Sequence, residues 1–534
     1  MTGVNPIRPG YLAVDNDGVT CLRAPLWYCA IAVRGDIGRD RRRCPSLSLT
    51  EENPMDNASS WTPRFEAFAR DLVASGDIPG AAVAVAQHGQ VVYEGGFGFR
   101  DREAGLPVQP DTVFGIGSVS KSFTALAILQ LQDEGRLSVT DPVQQWLPRF
   151  QLPGTLGREY SSTITLHHLL THSSGIPPEP SLGYARYRSI REDPDWTRLG
   201  PRPIPVPDDF TESDLVETYD ELLALMARQD FTLLGPPGQY FSYSNEGYAL
   251  LARIVELASG QDFRSYVRTH LIDRLGLSRT GFYARPEPLP AGTATIYSHT
   301  RGENGSPEVI ASPAWYDCGR IYGNGGMTST IQDLIRYLDV FRQGGTVDGA
   351  RIVSSQALNA MMAPLMPIPT GAWYGYGLTV RPEFHGDALI GHGGGNKGIA
   401  AWIGYVPNAG LTVAVLTNLD GAPASRLGLG AINLCLGLPA TTPEQTYAEH
   451  SLPLERLARF AGLYRGQPGD LTRFTLRDGV LVYEADDRRQ PCRPYADDAV
   501  LIQGAEMPAR FLFDPAGEVW AVSLGLRIKR KVAE

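Results

Sequence analysis

Residues 118–135 read SVSKSFTALAILQLQDEG, a stretch that predicts a buried helix beginning close to Ser118. Serines suit the N-terminus of a helix, and Gly135 suits the position just after its C-terminus. The residues between them are apolar around most of the circumference, and such a helix lies in the interior of a protein. Ser118 and Lys121 are three residues apart, so we expect both side chains on one face at the start of this helix.

Lysine is rare in this chain, which draws attention to Lys121. The chain has 48 lysine and arginine residues, and only Lys121, Lys397, Lys529 and Lys531 are lysines. A serine hydroxyl is a weak nucleophile that needs a base within hydrogen-bonding distance. Burial can lower the pKa of a lysine from about 10.4, whereas an arginine stays protonated. We therefore predict that Ser118 is a nucleophile and that Lys121 is its base.

Two motifs further along the chain carry polar groups suited to the same reaction. Residues 243–245 read YSN and enter a predicted helix, where the tyrosine oxygen can relay a proton and the amide can hold a substrate carbonyl. Residues 392–395 read HGGG and enter a predicted strand. The histidines at positions 167, 168 and 172 lack the H-E-x-x-H pattern of a zinc site, and we interpret them as capping or packing residues.

The order S-x-x-K, Y-x-N and H-x-G, with the sequence around these motifs, resembles the serine β-lactamase and penicillin-binding protein superfamily in its class C-like branch. The resemblance covers roughly residues 60–437. It implies that Ser118 is acylated and that Lys121 and Tyr243 share the general-acid and general-base work. It also implies that Asn245 orients Lys121 and the substrate.

The third motif supplies the remaining implied substrate-binding residues, His392, Gly394 and Gly395. The resemblance implies that the backbone N–H groups of Ser118 and Gly395 form the oxyanion hole. His392 stands where many members have the lysine of K-T-G, and Gly393 lacks the hydroxyl of the threonine. A titratable histidine in place of that lysine weakens recognition of a free carboxylate. The motif therefore favours esters, or amides with a free amine such as those of D-aminopeptidases, over β-lactams and terminal D-alanine.

Strands at both ends of residues 60–420, with helices between them, predict one sheet built from the two ends of this region and covered by helices. Residues 176–238 predict a long excursion with one helix, of the kind that forms a lid or wall over a site. Beyond residue 453 the apolar residues alternate at period two, with a hairpin turn at Asp478-Gly479, which predicts antiparallel strands. The resemblance implies a mixed α/β (α+β) transpeptidase-like catalytic domain followed by a small all-β, lipocalin-like domain.

Composition shifts divide the chain into four predicted segments. These are an N-terminal extension at 1–55, a catalytic domain at 56–438, a linker at 439–452 and an all-β domain at 453–534. The extension is predicted to be disordered, or to come from a start assigned upstream of Met55. Lys529 and Lys531 are predicted to lie at a solvated strand end.

The charge and cysteine content exclude several classes of protein. A net charge of −10 argues against nucleic acid or an anionic membrane as a general partner. No apolar run is long enough for a transmembrane helix. The 6 cysteines form no C-x-x-C pair, which indicates reduced thiols and a cytoplasmic protein, with a periplasmic or secreted location as the alternative.

The predicted function is a serine hydrolase that acts through an acyl-enzyme on a small-molecule ester, an amide or a short peptide. This describes a carboxylesterase or a D-aminopeptidase-like peptidase. One alternative is a weak β-lactamase or D,D-peptidase, and another is a binding or sensor protein that is acylated without turnover. We expect neither a metal nor a cofactor.

Overall fold

A computed structural model describes residues 54–178, 181–196, 199, 214–283, 288–302, 306–466, 470–485 and 488–533. The predicted N-terminal extension at residues 1–55 lies outside the described residues except for its last two positions. The helices are α1 (Pro54–Ser75), α2 (Ser120–Asp133), α3 (Val143–Trp146), α4 (Gly154–Ser161), α5 (Leu166–Leu170), α6 (Gly183–Arg191), α7 (Tyr219–Arg228), α8 (Asn245–Ser259), α9 (Phe263–Val267), α10 (Asp273–Leu275), α11 (Ile331–Arg342), α12 (Ser355–Met361), α13 (Ala424–Cys435) and α14 (Leu454–Phe460).

The strands fall into two groups along the chain. The first group is β1 (Gly80–Gln87), β2 (Gln90–Asp101), β3 (Leu106–Pro107), β4 (Phe114–Gly115), β5 (Gly281–Phe282), β6 (Tyr297–Arg301), β7 (Pro307–Ala311), β8 (Met327–Ser329), β9 (Thr346–Val347), β10 (Ala350–Arg351), β11 (Met366–Pro367), β12 (Trp373–Tyr374), β13 (Thr379–Phe384), β14 (Asp387–Asn396), β15 (Ile399–Val406) and β16 (Leu411–Thr417). The second group is β17 (Gly462–Arg465), β18 (Leu471–Arg477), β19 (Val480–Ala485), β20 (Arg488–Ala496), β21 (Ala499–Ile502), β22 (Met507–Phe513), β23 (Val519–Leu524) and β24 (Arg527–Val532).

One antiparallel sheet joins the two ends of the region at residues 60–420, as the sequence predicts. Its strand order is β11-β12-β13-β14-β15-β16-β1-β2-β3, and Val83 of β1 pairs with Val415 of β16. Strand β1 is buried on both faces, so Ala82 and Ala84 belong to one hydrophobic core while Val83 and Val85 belong to another. Helices α1 and α13 cover one face of the sheet, and α11 packs on the other. A strand covered on both faces reads as a continuous apolar run, which explains the sequence GAAVAVAQ.

The helix that follows Ser118 is buried along nearly its whole length. Twelve of the 14 residues of α2 are buried, and it packs against α8. Gly135 follows the helix with φ +70°, which is the left-handed conformation expected of a residue just beyond a helix C-terminus. The helix begins at Ser120 rather than at Ser118, because residues Gly117–Val119 form a tighter 3-10 turn first.

The C-terminal strands close into an eight-stranded antiparallel barrel, in agreement with the predicted all-β domain. Its interior is filled by side chains, with the rings of Phe460 and Phe511 stacked 4.0 Å apart. The predicted hairpin turn joins β18 to β19, and Asp478 and Gly479 both have positive φ. The expected solvated strand end is wrong for Lys529, which lies on β24 with 8% of its surface exposed and whose ammonium donates to Asp470 and Thr472, whereas Lys531 is half-buried.

None of the helices within the described ranges is both long enough and apolar enough to cross a membrane.

Candidate active site

Ser118 lies in the 3-10 turn that connects β4 to α2. Gly117 has φ +50° in this turn, a conformation that favours glycine. A Cβ added to Gly117 would lie 2.6 Å from the backbone nitrogen of Gly395 on β14, and one added to Gly394 would lie 3.2 Å from the Ser118 nitrogen. Glycines at these positions therefore allow the serine turn and β14 to touch. This contact places the backbone of Ser118 beside that of Gly395.

Lys121 is fully buried, and its ammonium group points at the serine. Its Nζ lies 3.1 Å from Ser118 Oγ, 2.7 Å from Asn245 Oδ1 and 2.6 Å from the carbonyl oxygen of Asn324. A protonated lysine donates to all three acceptors, whereas a neutral lysine donates to two and accepts the serine hydroxyl with its lone pair. Both protonation states are accommodated by the same geometry, which is what a proton acceptor requires.

Tyr243 and Asn245 lie where an extended segment enters α8. The ring centroid of Tyr243 is 4.8 Å from Lys121 Nζ, and Asn245 accepts a hydrogen bond from the same atom. The backbone N–H of Tyr243 donates to the carbonyl of Leu526, at 2.9 Å, in the turn between β23 and β24. The structure therefore brings the first two motifs together and ties the second one to the barrel.

His172 is a site residue whose place beside Tyr243 the sequence analysis missed. Its ring lies 4.1 Å from the Tyr243 ring, and its Nδ1 accepts the backbone N–H of Ser244 at 3.2 Å. Burial, followed by the nearby charge of Lys121, holds the pKa of His172 well below its usual value of 6.5. The interpretation as a packing residue holds, but the packing partner is the tyrosine of the second motif, which no local pattern indicates.

His392 is an uncharged imidazole with both nitrogens occupied. Within the described part of the chain, Nδ1 is paired with the carbonyl oxygen of Gly393 at 2.5 Å, and a carbonyl oxygen only accepts, so Nδ1 carries the proton. Nε2 therefore accepts the hydroxyl hydrogen of Tyr374 at 2.8 Å. Burial, with a smaller contribution from Lys121, lowers the pKa of His392 to about 3. The expectation of a titratable histidine in place of the family lysine is therefore wrong for the physiological pH range.

This buried histidine predicts a loss of stability in acid. Between pH values of about 3 and 6.5, an unfolded chain protonates His392 whereas the folded protein does not. The contribution of His392 to the free energy of unfolding is therefore complete above pH 6.5. Below pH 6.5 this contribution decreases by about 1.4 kcal/mol for each pH unit, because the unfolded chain gains a proton that the folded protein does not. We expect His392→Asn to reduce the difference in unfolding free energy between pH 7 and pH 5, measured by urea denaturation.

The matched control for this measurement is His385→Asn. His385 is exposed and has φ +51°, a conformation that asparagine tolerates. We expect this control to keep the pH dependence of the wild type. An unchanged pH dependence in His392→Asn would show that His392 is not held neutral by burial.

Arg527 is a second site residue that the sequence analysis missed. It is the first residue of β24 and directly follows Leu526, and its guanidinium carbon is 5.9 Å from the centroid of the Tyr243 ring. Two cavities, of about 140 and 530 Å³, open on either side of Ser118, and Arg527 and Gly395 line both. No repeat or motif in the sequence links a residue of the C-terminal barrel to a serine 400 positions earlier.

The excursion at residues 176–238 contributes a wall of the smaller cavity. Arg186 of α6 lines this cavity together with Tyr316. Lys397, in the loop after β14, forms a buried ion pair of 2.7 Å with Asp193, which follows α6, and Tyr316 donates its hydroxyl to the same carboxylate. The described part of the excursion contains α6 as well as the expected helix, α7.

The comparisons with known proteins agree with this arrangement. A family model described as Beta-lactamase matches residues 65–434. Esterase EstB of Burkholderia gladioli is 31% identical over 309 residues, which cover 54% of this chain and 71% of the esterase. An octameric penicillin-binding protein homologue from Pyrococcus abyssi superposes with a TM-score of 0.61 at 30% identity, covering 88% of this chain and all of that structure. A D-stereospecific amidohydrolase from Streptomyces superposes with a TM-score of 0.53 at 26% identity, covering 69% of this chain and 97% of that one.

Proposed function

Because the chain belongs to the beta-lactamase family, we propose that it is a serine hydrolase that cleaves an ester or an amide through an acyl-enzyme on Ser118. The observation that carries this proposal is the distance of 3.1 Å between Lys121 Nζ and Ser118 Oγ. The relatives add support, since an esterase and a D-stereospecific amidohydrolase are among the similar proteins.

The proposed reaction begins with attack of Ser118 Oγ on the substrate carbonyl carbon. The hydroxyl proton passes to a neutral Lys121, and the negative charge that develops on the carbonyl oxygen is held by the N–H groups of Ser118 and Gly395. One such donor typically stabilises a transition state by about 3 to 4 kcal/mol. Lys121 and Tyr243 then deliver the proton to the departing alcohol or amine, and Asn245 holds Lys121 in place.

The acyl-enzyme is released by water in the second half of the proposed reaction. The same lysine and tyrosine act in reverse: they take a proton from the water that attacks the acyl carbon and return it to Ser118. No step uses His392, because its two nitrogens are occupied and it is neutral. His392 and Gly394 are proposed to shape the floor of the substrate site instead.

The proposed substrates are small esters, amides or short peptides, as in a carboxylesterase or a D-aminopeptidase. A neutral His392 and a glycine at 393 offer no positive charge or hydroxyl to a substrate carboxylate on β14. Arg527, on the opposite wall, supplies a guanidinium that borders both cavities. This arginine supports a second candidate, a weak β-lactamase or D,D-peptidase that binds the carboxylate from the barrel side.

The proposed domain limits are 56–438 for the catalytic domain and 453–534 for the barrel domain, with a linker at 439–452. Helix α13 ends at Cys435 and α14 begins at Leu454, which supports a linker between them.

Initial hydrolysis rates on three chromogenic substrates test the proposed function. The substrates are a short-chain p-nitrophenyl ester, a D-alanine p-nitroanilide and a cephalosporin reporter, each given to the wild type and to Ser118→Ala. We expect turnover of the ester or the anilide by the wild type and its loss in Ser118→Ala, because the nucleophile is gone. Full activity in Ser118→Ala would contradict the assignment of the nucleophile.

The alternative of an acylated sensor is separated by mass spectrometry of the intact protein after incubation with the same substrates. A hydrolase returns to its unmodified mass as the substrate is consumed. A persistent adduct on Ser118 without product release would favour the sensor.

A further inference from the structure

The larger of the two cavities beside Ser118 is mostly apolar and is roofed by the barrel. It has a volume of about 530 Å³, within the range of about 300 to 1,000 Å³ of ligand sites. On β14 it is lined by His392 and by glycines at 393–395 that have no side chain, and its other lining residues include Trp402, Ala424 and Leu526. The smaller cavity is lined instead by polar groups that include Asn245, Asn324 and Asn396.

Leu526 is held in place although its side chain is partly exposed. It keeps 38% of its surface accessible. Its carbonyl accepts the N–H of Tyr243, and the N–H of Ile528 donates to the hydroxyl of Ser242 at 3.2 Å. Two hydrogen bonds to residues 242 and 243 therefore hold the backbone that carries Leu526, whose side chain lines the larger cavity.

Both cavities border Ser118 and Gly395. When the carbonyl carbon of a substrate lies at Ser118, the acyl part therefore occupies one cavity and the leaving group occupies the other. The amide of Asn245 faces the smaller cavity only, and this amide suits polar atoms of an acyl group. His392 and the apolar walls face the larger cavity only. The acyl part then fits the polar side, and the leaving group fits the apolar side.

We propose that the larger cavity binds an apolar leaving group, such as a medium-length alcohol, and that Leu526, in the turn between β23 and β24, sets the preference for it. This inference rests on the proposed function and specifies its substrate class: esters or amides with a compact, polar acyl part and an apolar alcohol or amine. Burial of each methylene of the alcohol against the cavity wall favours the longer substrate.

The test uses two series of esters: one keeps the acid constant and varies the alcohol, and the other keeps the alcohol constant and varies the acid. In the first series glycine is esterified with methanol, butanol or hexanol, and in the second methanol is esterified with acids of increasing chain length, with rates followed by pH-stat. For the wild type we expect kcat/KM to be at least about tenfold higher for the hexyl than for the methyl ester of glycine. Leu526→Asp is expected to lower this ratio about tenfold, because it places a carboxylate against the chain.

The matched control is Leu471→Asp on β18 of the same barrel. Leu471 is 43% exposed and does not line either cavity, so the hexyl-to-methyl ratio should stay within about twofold of the wild type. Equal ratios in Leu526→Asp and Leu471→Asp would overturn the inference. The inference would also be overturned if Leu526→Asp changed the dependence of kcat/KM on the chain length of the acid and not on that of the alcohol, since the cavity would then hold the acyl group.

Binding of 1-hexanol to the Ser118→Ala protein, measured by calorimetry, separates this inference from the proposed function. We expect hexanol to bind at least about tenfold more tightly than methanol, and Leu526→Asp added to Ser118→Ala to remove that difference. Hexanol binding without any Ser118-dependent hydrolysis would contradict the proposed function while retaining the apolar cavity. Hydrolysis that depends on Ser118, without a preference for hexanol, would retain the function and reject the inference.

Discussion

Lys121→Arg should lower kcat at least about a hundredfold on any substrate that Ser118 turns over, in line with the contribution of a general base. The side chain of Lys121 is fully buried and donates to Asn245 and Asn324, and an arginine can keep a positive charge near both. It cannot accept the serine proton, because a guanidinium stays protonated. The measurement is the steady-state rate of the variant on the best substrate of the chromogenic panel, together with its melting temperature.

The matched control is Lys529→Arg. The lysine at this position is also buried, and its ammonium group is also hydrogen-bonded. Lys529 lies in the barrel and forms an ion pair with Asp470, a contact that an arginine can also make. We expect its kcat to stay within about twofold of the wild type. Activity of Lys121→Arg close to that of Lys529→Arg would contradict the role of Lys121 as a base. If the melting temperature falls in Lys121→Arg but not in Lys529→Arg, the size of that fall shows how much altered packing around residue 121 contributes to the loss of activity.

Lys397→Met should destabilise the protein by about 3 to 5 kcal/mol, because it leaves a buried carboxylate without its cation. The side chains of Lys397 and Asp193 are 3% and 0% exposed, and their charged atoms are 2.7 Å apart. The methionine keeps the length of the side chain but not its charge. The measurement is the free energy of unfolding from urea denaturation, with the loss of secondary and tertiary signals compared to test for a single transition.

Two further variants make the result specific for the buried pair. Asp193→Asn combined with Lys397→Met should recover a large part of the loss, since the amide is neutral and still accepts the hydroxyl of Tyr316. Arg70→Met breaks an ion pair with Glu66 on the exposed face of α1, where the arginine side chain is 64% exposed, and should cost no more than about 1 kcal/mol. A single Lys397→Met variant as stable as Arg70→Met would show that the pair does not hold the excursion in place.

The rarity of lysine was a weaker guide to Lys121 than the sequence analysis assumed. Lys397 and Lys529 are also retained, and both form ion pairs in buried positions. An ion pair does not require a lysine, since arginine makes the same contact. What distinguishes Lys121 is its contact with the hydroxyl of Ser118 and with the oxygens of Asn245 and Asn324, and this contact is visible only in the folded protein.

The sequence by itself determined the resemblance to the family, the sheet built from the two ends of residues 60–420, the buried helix after Ser118 and the antiparallel strands of the C-terminal domain. The helix and the strands depend on residues close together in the chain, such as apolar runs at the period of a strand or helix and the turn residues Asp478-Gly479, whereas the resemblance to the family depends on the order of three short motifs between residues 118 and 395. The helix and the strands are encoded locally because backbone conformation and the pattern of burial repeat every few residues.

Only the tertiary structure decided the charge of His392, the position of His172 beside Tyr243 and the entry of Arg527 and Leu526 into the cleft. The pKa of a histidine depends on its burial and on neighbours from other elements, so the sequence HGGG does not reveal that His392 is neutral. A turn of the barrel reaches the serine through hydrogen bonds to residues nearly 300 positions away, such as the one from Tyr243 to Leu526. Contacts over that separation follow no local period, because they arise when separately folded elements pack against each other.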